Sequence, residues 1–384
     1  MHFEHKSDQA QNPSVSSDSS PLRLVFWETT IGCNLECVHC RRMEESQELS
    51  KHDLSTEQAR ELIDQIATVG RPVLVFSGGE PLMRPDIFEL AVYAKKVGLI
   101  TALATNATLI NLQIAGKIAE AAFERVSISF DGADPATHDA FRGQAGSFER
   151  AIEGARLLRN EGVSIQVNCT IARHNMDQIE DILKLAESIG AVAVHYFLLV
   201  PVGCGVQIAE SQMLNKNQIE ERLKLIYQLD RQTSLQIKPT CAPHYYRILR
   251  QEAKGLDQPQ PSTSSESSGS LYSVTKGCLA GSAVCFVSHT GEVYPCGYLP
   301  ISAGDVKLHD FADIWRNSSV FADLRDPKQL TGKCAQCEFI KVCGGCRARA
   351  FYQSGDYLAE EPYCAYQPKS SAKKGNVNPQ QNDR

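Results

Sequence analysis

The chain has 384 residues, 42% of them hydrophobic, with 39 Lys and Arg against 45 Asp and Glu and a formal net charge of −6. That balance offers no basic field for nucleic acid or an anionic membrane, and no apolar run approaches the length of a membrane span. Fourteen Cys would suit a disulfide scaffold in a short secreted chain. Here the length supports a core domain of roughly 200 residues plus an extension, and the cysteines fall at metal-ligand spacings, which points to a reducing cytoplasm.

Residues 1–21 are polar and Ser-rich, read as a disordered tail without a signal peptide. A strand over 22–30 then runs into Cys33, Cys37 and Cys40, spaced C-x3-C-x2-C. Three thiolates on one short loop can hold three irons of a 4Fe–4S cluster and leave the fourth iron open to a small molecule. The alternative, a zinc site, usually takes four ligands in two pairs, and three Cys at this spacing fit it poorly. Helices are expected over 55–69, 84–97, 111–122, 147–161 and 176–189, with Ser55 and Ser147 as N-caps. Between them lie strands over 72–76, 100–104, 126–130, 164–170 and 192–200. Six strands alternating with amphipathic helices predict parallel βαβ units. The second strand ends in Ser77-Gly78-Gly79-Glu80-Pro81, the third in Thr105-Asn106, the fourth in Asp131-Gly132. A further helix is expected over 215–232, a mobile low-complexity loop over 258–270 and a polar tail over 369–384, with no internal repeat.

The Cys33, Cys37, Cys40 loop resembles that of the radical S-adenosylmethionine (SAM) enzymes, and Gly78, Gly79 and Glu80 match that family's Gly-Gly-Glu-Pro motif. The resemblance implies a partial (β/α)6 barrel with ligands at the carboxyl ends of its strands. It implies that SAM chelates the open iron and is cleaved to methionine and a 5′-deoxyadenosyl radical. By the same resemblance Gly78, Gly79 and Glu80 meet the amino group of SAM, Asn106 and Ser129, with Asp131 nearby, line its ribose, and Arg142 pairs with its carboxylate. A guanidinium fork suits that last task.

A second cysteine system follows: Cys278, Cys285, Cys296 behind Gly291, then Cys334, Cys337, Cys343, Cys346 and Cys364. It resembles the SPASM extension, an auxiliary-cluster domain of many radical SAM enzymes, placed here over 236–368 behind a barrel at 22–235. The resemblance assigns Cys334, Cys337, Cys343 and Cys364 to an outer 4Fe–4S cluster. It assigns Cys278, Cys285, Cys296 and Cys346 to an inner one. Two residues rather than three precede Cys346, so one or two auxiliary clusters both stay open, and a zinc ribbon is the alternative for the C-x2-C pairs. Cys169, on a strand, reads as a small buried apolar residue.

Trp27-Glu28-Thr29-Thr30, Cys40-Arg41, the segment Lys238-Pro239-Thr240-Cys241-Ala242-Pro243-His244 and Cys343-Gly344-Gly345-Cys346-Arg347 resemble the tetrapyrrole branch of the family, most of all its haem b synthases of the sirohaem-dependent pathway. That resemblance implies an oxidoreductase that converts two propionates of iron-coproporphyrin III to vinyl groups. Each loses a hydrogen atom, carbon dioxide and an electron, so an auxiliary cluster is implied as electron acceptor, while the electron that cleaves SAM implies a reduced donor of ferredoxin or flavodoxin type as partner. Arg41, Arg42, His244, Tyr245 and Arg247 are the candidates to meet the propionates; Arg250 reads as a solvated helix face. Cys241 and His244 could instead be structural or ligate the porphyrin iron. Cys204 stands where an Arg is expected, which leaves the exact tetrapyrrole open. Other tetrapyrrole-modifying enzymes and the peptide-modifying radical SAM–SPASM enzymes are the alternatives. The peptide-modifying enzymes usually carry a leader-peptide domain near the N-terminus, for which residues 1–21 are too short and polar. A non-catalytic electron carrier would have no use for the SAM motifs.

Overall fold

The structure, a computed structural model, describes residues 21–41, 49–255 and 276–369. Of the disordered tail expected over 1–21, residues 1–20 lie outside the described residues, as do Arg42, the 258–270 loop and the tail beyond 369. Strands β1 (Leu24–Glu28), β2 (Val73–Ser77), β3 (Ile100–Thr105), β4 (Arg125–Ser129), β5 (Ile165–Ile171) and β6 (Ala193–Leu198) alternate with helices. These are α1 (Thr56–Ala67), α2 (Ile87–Lys96), α3 (Leu112–Ala121), α4 (Pro135–Arg142), α5 (Ser147–Asn160) and α6 (Ile179–Ser188). Then come α7 (Lys216–Asp230), β7 (Gln236–Thr240), α8 (His244–Gly255), β8 (Val284–Val287), β9 (Glu292–Tyr294) and β10 (Gly304–Asp305). Helices α9 (Phe311–Asn317), α10 (Ser319–Arg325) and α11 (Arg347–Ser354) complete the chain.

One sheet runs in the order β10-β9-β8-β1-β2-β3-β4-β5-β6-β7. Every pair from β8 through β1 to β7 is parallel, and β9 and β10 add antiparallel pairs. Among the described residues the ends of the series do not pair with each other, which makes this an open, partial barrel. The six expected strands are present, and two more extend the parallel run. β7 pairs with β6, so a segment that the sequence reading put in the extension is a strand of the main sheet. Its polar residues and Pro239 hide it from a pattern search, and an edge position tolerates such a Pro. β8 pairs with β1, so the C-terminal extension is hydrogen-bonded directly to the strand that feeds the first Cys loop.

The sheet has two unlike faces. Val126, Ile128, Val167, Cys169, Val194 and Tyr196 are buried beneath the helices in the main core, as alternation along a strand requires. Ser127, Ser129, Asn168, Thr170 and Phe197 face the other way and are half-buried. Register sets Ser129 beside Asn168 and Asn168 beside His195. A small, polar concave face therefore stands open to a ligand.

Helix starts follow local chemistry. Ser55 caps α1 in a capping box with Gln58. Ser147, expected as a cap, is instead the first helical residue behind Gly146. Asp139 of α4 takes over, accepting from Gly146 N at 2.6 Å, Phe148 N at 2.8 Å and Ser147 Oγ at 2.7 Å. Among the described residues no helix is long and apolar enough to cross a membrane.

Candidate functional site

The loops after β1 and β2 are fastened backbone to backbone. Gly79 N donates to Thr30 O and Glu80 N to Gly32 O, both at 2.8 Å. A Cβ on Gly78 would fall 2.3 Å from Thr30 O, and one on Gly79 2.2 Å from Gly32 O. Sequence reasoning gave these glycines to close approach of a ligand; what they meet here is the Cys loop itself. Glu80 is fully buried. Its Oε1 accepts from Thr105 Oγ1 at 2.7 Å and Leu82 N at 3.2 Å, and its Oε2 from Asn106 N at 2.8 Å. Asn106 Nδ2 donates to Asn34 Oδ1 at 2.9 Å, tying the end of β3 to the Cys loop. Ser129 lies at the end of β4 on the concave face.

Cys33, Cys37 and Cys40 are drawn together on this loop. Burial pushes the Cys33 thiol up to about 12, and the charges of Glu80, Cys37 and Cys40 push the same way, against a hydrogen bond from Leu35 N. Cys37 is also raised, chiefly by burial, with Arg142 opposing. Crowded buried thiols become thiolates when a metal supplies the missing positive charge. Among the described residues no three His, Cys, Asp or Glu side chains close on a single-ion site. Three thiols on one short loop are the donor set of a 4Fe–4S cluster with one open iron, and these residues fit that group.

Arg142 stands beside this loop at the end of α4, a helix the sequence reading did not identify. Its Nη1 donates to Cys37 Sγ at 3.7 Å and its Nη2 is 2.7 Å from Asp131 Oδ2. The fork expected to grip a SAM carboxylate thus already holds Asp131, while Nε has no hydrogen-bond partner among the described residues. Burial pushes the Asp131 carboxyl up, but Arg142 and then His39 outweigh it and hold it below the usual range. His39 stacks on Phe141 at 4.1 Å, and Phe141 on His174 at 3.9 Å. Burial lowers His39 to about 4, so its ring is neutral at pH 7. The sequence placed an aromatic residue before Cys40 but gave no sign of this stack, which needs α4 to fold back on the loop.

In the extension, Cys334, Cys337, Cys343 and Cys364 line one pocket. Four thiols around one space fit the outer cluster. Glu361 stands between this group and the next: its N donates to Cys334 Sγ at 3.3 Å, and its Oε2 accepts from Cys346 N at 2.6 Å. Its Oε1 accepts from Arg349 Nε at 3.2 Å, and neither side chain is more than 1% exposed. Burial raises the Glu361 carboxyl, but Arg349 and His244 bring it down to about 2. Cys278, Cys296 and Cys346 neighbour one another, each raised by burial or raising the others. Cys285 is apart from them, fully buried in the main core on β8. Cys169 is likewise core, as expected.

The substrate candidates are engaged within the protein. Arg41 pairs with Glu28 and its guanidinium lies 4.1 Å over Phe286. Arg247 pairs with Glu220, donates to Gln251 at 2.6 Å and lies over Tyr366 beside the outer cavity. Tyr245 donates to Asp230 at 3.3 Å in the main core. His244 is 1% exposed, 3.8 Å from Glu361, and lowered by burial to about 4. Arg250 is exposed, as a solvated helix face requires. Of the four described candidates, Arg41 is the one with a quarter of its side chain exposed. Arg349 and Glu361 are the charged pair that sequence reasoning missed; single residues in a Cys-rich stretch carry no periodic signal.

Residues 27–186 match the radical SAM superfamily and residues 278–338 the SPASM iron–sulfur cluster-binding domain. A protein of Methanosarcina barkeri described as an AdoMet-dependent heme synthase is 47% identical over 348 residues, 90% of this chain and 97% of the relative. Another of that description, from Nitratidesulfovibrio vulgaris, is 45% identical over 361 residues, 94% of this chain and 97% of the relative. Among solved structures, Streptococcus suis SuiB bound to precursor peptide SuiA superposes with a TM-score of 0.70 at 16% identity, over 90% of this chain and 76% of that one, a likeness of fold.

Two substitutions test this geometry. Gly79→Ala should force the β2 loop off Gly32 and lower the iron held by Cys33, Cys37 and Cys40, measured as iron per chain after anaerobic reconstitution. Glu361→Ala leaves the Arg349 charge buried and unpaired, and should cost about 3–5 kcal/mol of stability in urea unfolding.

Proposed function

The chain belongs to the radical SAM superfamily, with a SPASM extension, as an S-adenosylmethionine-dependent enzyme of haem biosynthesis, and we propose that it converts iron-coproporphyrin III to haem b. The reaction class is oxidative decarboxylation: two propionates each lose a hydrogen atom, carbon dioxide and an electron and become vinyl groups. The observation that carries the proposal is the 47% identity to a heme synthase across 97% of that relative.

Cys33, Cys37 and Cys40 would hold the catalytic cluster, which together with SAM supplies a carbon radical strong enough to take hydrogen from an unactivated C–H bond. The rest falls to the chain. Glu80 uses three of its roughly four acceptor sites on Thr105, Leu82 and Asn106, leaving room on Oε2 for the ammonium of SAM. Arg142, with Nε unpartnered among the described residues, is the cation for its carboxylate, and Asp131 fixes that cation in place. Ser129 and Asn106 face the ribose. The half-buried concave face, Ser127 to Phe197, takes the tetrapyrrole, and Arg41, stacked on Phe286, is the guanidinium positioned for a propionate once it leaves Glu28. Cys334, Cys337, Cys343 and Cys364 would hold the acceptor of the electron left after decarboxylation. A low-potential one-electron donor of ferredoxin or flavodoxin type completes the cycle.

Anaerobic incubation with SAM, a reductant and iron-coproporphyrin III should yield haem b by mass, with two carbon dioxide and 5′-deoxyadenosine. An untouched substrate, together with turnover of a sirohaem-derived intermediate or a peptide, would overturn the substrate assignment. Replacing both Cys337 and Cys343 with Ala should spare SAM cleavage and suppress vinyl formation; haem formation at the unmodified rate would remove the outer cluster from the electron path.

A further inference from the structure

The inner group of cysteines lacks a fourth thiol where the sequence pattern places one. β8 exposes alternate residues to opposite faces. Phe286 carries Arg41 over its ring and lies 3.5 Å from where a Cβ of Gly297, next to Cys296, would stand. Cys285 therefore points the other way, into the main core with Val287 and Val293. The charged group that bears on it is Arg325 of α10, and no cysteine does.

Cys241 lies where Cys285 does not. It follows β7 with φ of +53°, a left-handed conformation that a non-glycine residue holds only under constraint. Together with Cys296 it packs on the cluster of Val200, Leu299, Cys346 and Ala348. Cys278 is brought to the same place by its neighbour. Gly277 is seated so tightly that a Cβ there would fall 2.6 Å from Pro243 Cβ and 2.7 Å from Cys343 O. Gly277 N donates to Val342 O at 2.7 Å and Cys278 N to Cys343 O at 3.2 Å, which holds that segment against the Cys343–Cys346 turn. Burial raises the Cys241 thiol, and the next influences on it are Cys346, Cys296, Arg349 and Cys278.

We propose that Cys241 is the fourth thiolate of the inner auxiliary cluster, with Cys278, Cys296 and Cys346, and that Cys285 is a core residue. The proposal rests on the reading of these cysteines as iron–sulfur ligands. It makes the inner cluster a staple between the last barrel strand and the extension, since Cys241 follows β7 and the other three lie beyond residue 276. It also assigns the strained backbone at Cys241 a purpose: the left-handed turn aims Sγ at the group and not along the strand.

The test is made in a chain with Cys33, Cys37 and Cys40 all replaced by Ala, reconstituted anaerobically, so that only auxiliary iron is counted. Two 4Fe–4S clusters, each held by four thiolates, give about eight irons per chain. Adding Cys241→Ala should halve iron and acid-labile sulfide while the outer cluster keeps its EPR signal, and adding Cys285→Ala should leave both unchanged. Cys241→Ser, which keeps the side-chain volume and can ligate through oxygen, should retain iron and shift the g-values of one cluster. This variant decides the matter if the alanine chain does not fold. Full iron in Cys241→Ala, an unshifted spectrum in Cys241→Ser, or halved iron in Cys285→Ala would overturn the proposal. Stoichiometric zinc without sulfide in the parent would overturn the cluster reading itself, and this proposal with it.

Discussion

The close approach of Gly78 and Gly79 to the Thr30–Gly32 backbone is the constraint on which the site is built. At 2.2 Å from a carbonyl oxygen there is no room for a side chain carbon, so two strand-end loops fuse into one surface. Cys33 and Glu80 both stand on it, close enough for the Glu80 charge to bear on the Cys33 thiol. The hydrogen bonds of Glu80 to Thr105 and Asn106 bring in the third strand end. Asn106 then holds Asn34 of the Cys loop. Three loops distant in sequence thus fix one another without any of them being rigid alone.

The same logic places the second cysteine system. β8 is only four residues long, but by pairing with β1 it sets Phe286 under Arg41. Tyr298, half-buried nearby, is influenced by Cys241, Arg41, Cys296 and Cys40. The extension is therefore a continuation of the barrel sheet, and its clusters would sit beside the ligand face. An electron leaving a substrate there has an acceptor held by the same framework.

Charge burial is the cost of this arrangement. Thiols far above their usual range, Asp131 with Arg142, and Glu361 with Arg349 all occupy space where an isolated ion would be strongly disfavoured. Each charged pair is offset by its partner, and the thiols would be offset by iron. Glu361 reaches both cysteine groups, the outer through its backbone N–H and the inner through its carboxylate. Burial also keeps His39 and His244 neutral at pH 7. His244 is thus a poor cation for a propionate despite its place in the motif.

The sequence by itself determined the class of chemistry, because ligand spacing along a loop and Gly-Gly-Glu at a strand end are local properties of the chain. It also determined the strand–helix alternation, because the apolar period repeats over each element. Tertiary structure alone decided the partners. β7 and β8 join the sheet although their patterns are weak, since neighbours in space supply the missing hydrogen bonds. Helix α4, short and rich in polar residues, forms because Asp134 caps it and Phe141 is buried against His39. Tyr245 and Arg247 meet Asp230 and Glu220 of α7, and no one-dimensional signal marks those pairings. The cysteines divide most clearly: counting them gave two sets, but which thiols meet depends on the face each strand residue presents. A one-residue difference in alternation sends Cys285 into the core, while Cys241, in a left-handed turn, packs with Cys296 on the cluster that holds Cys346.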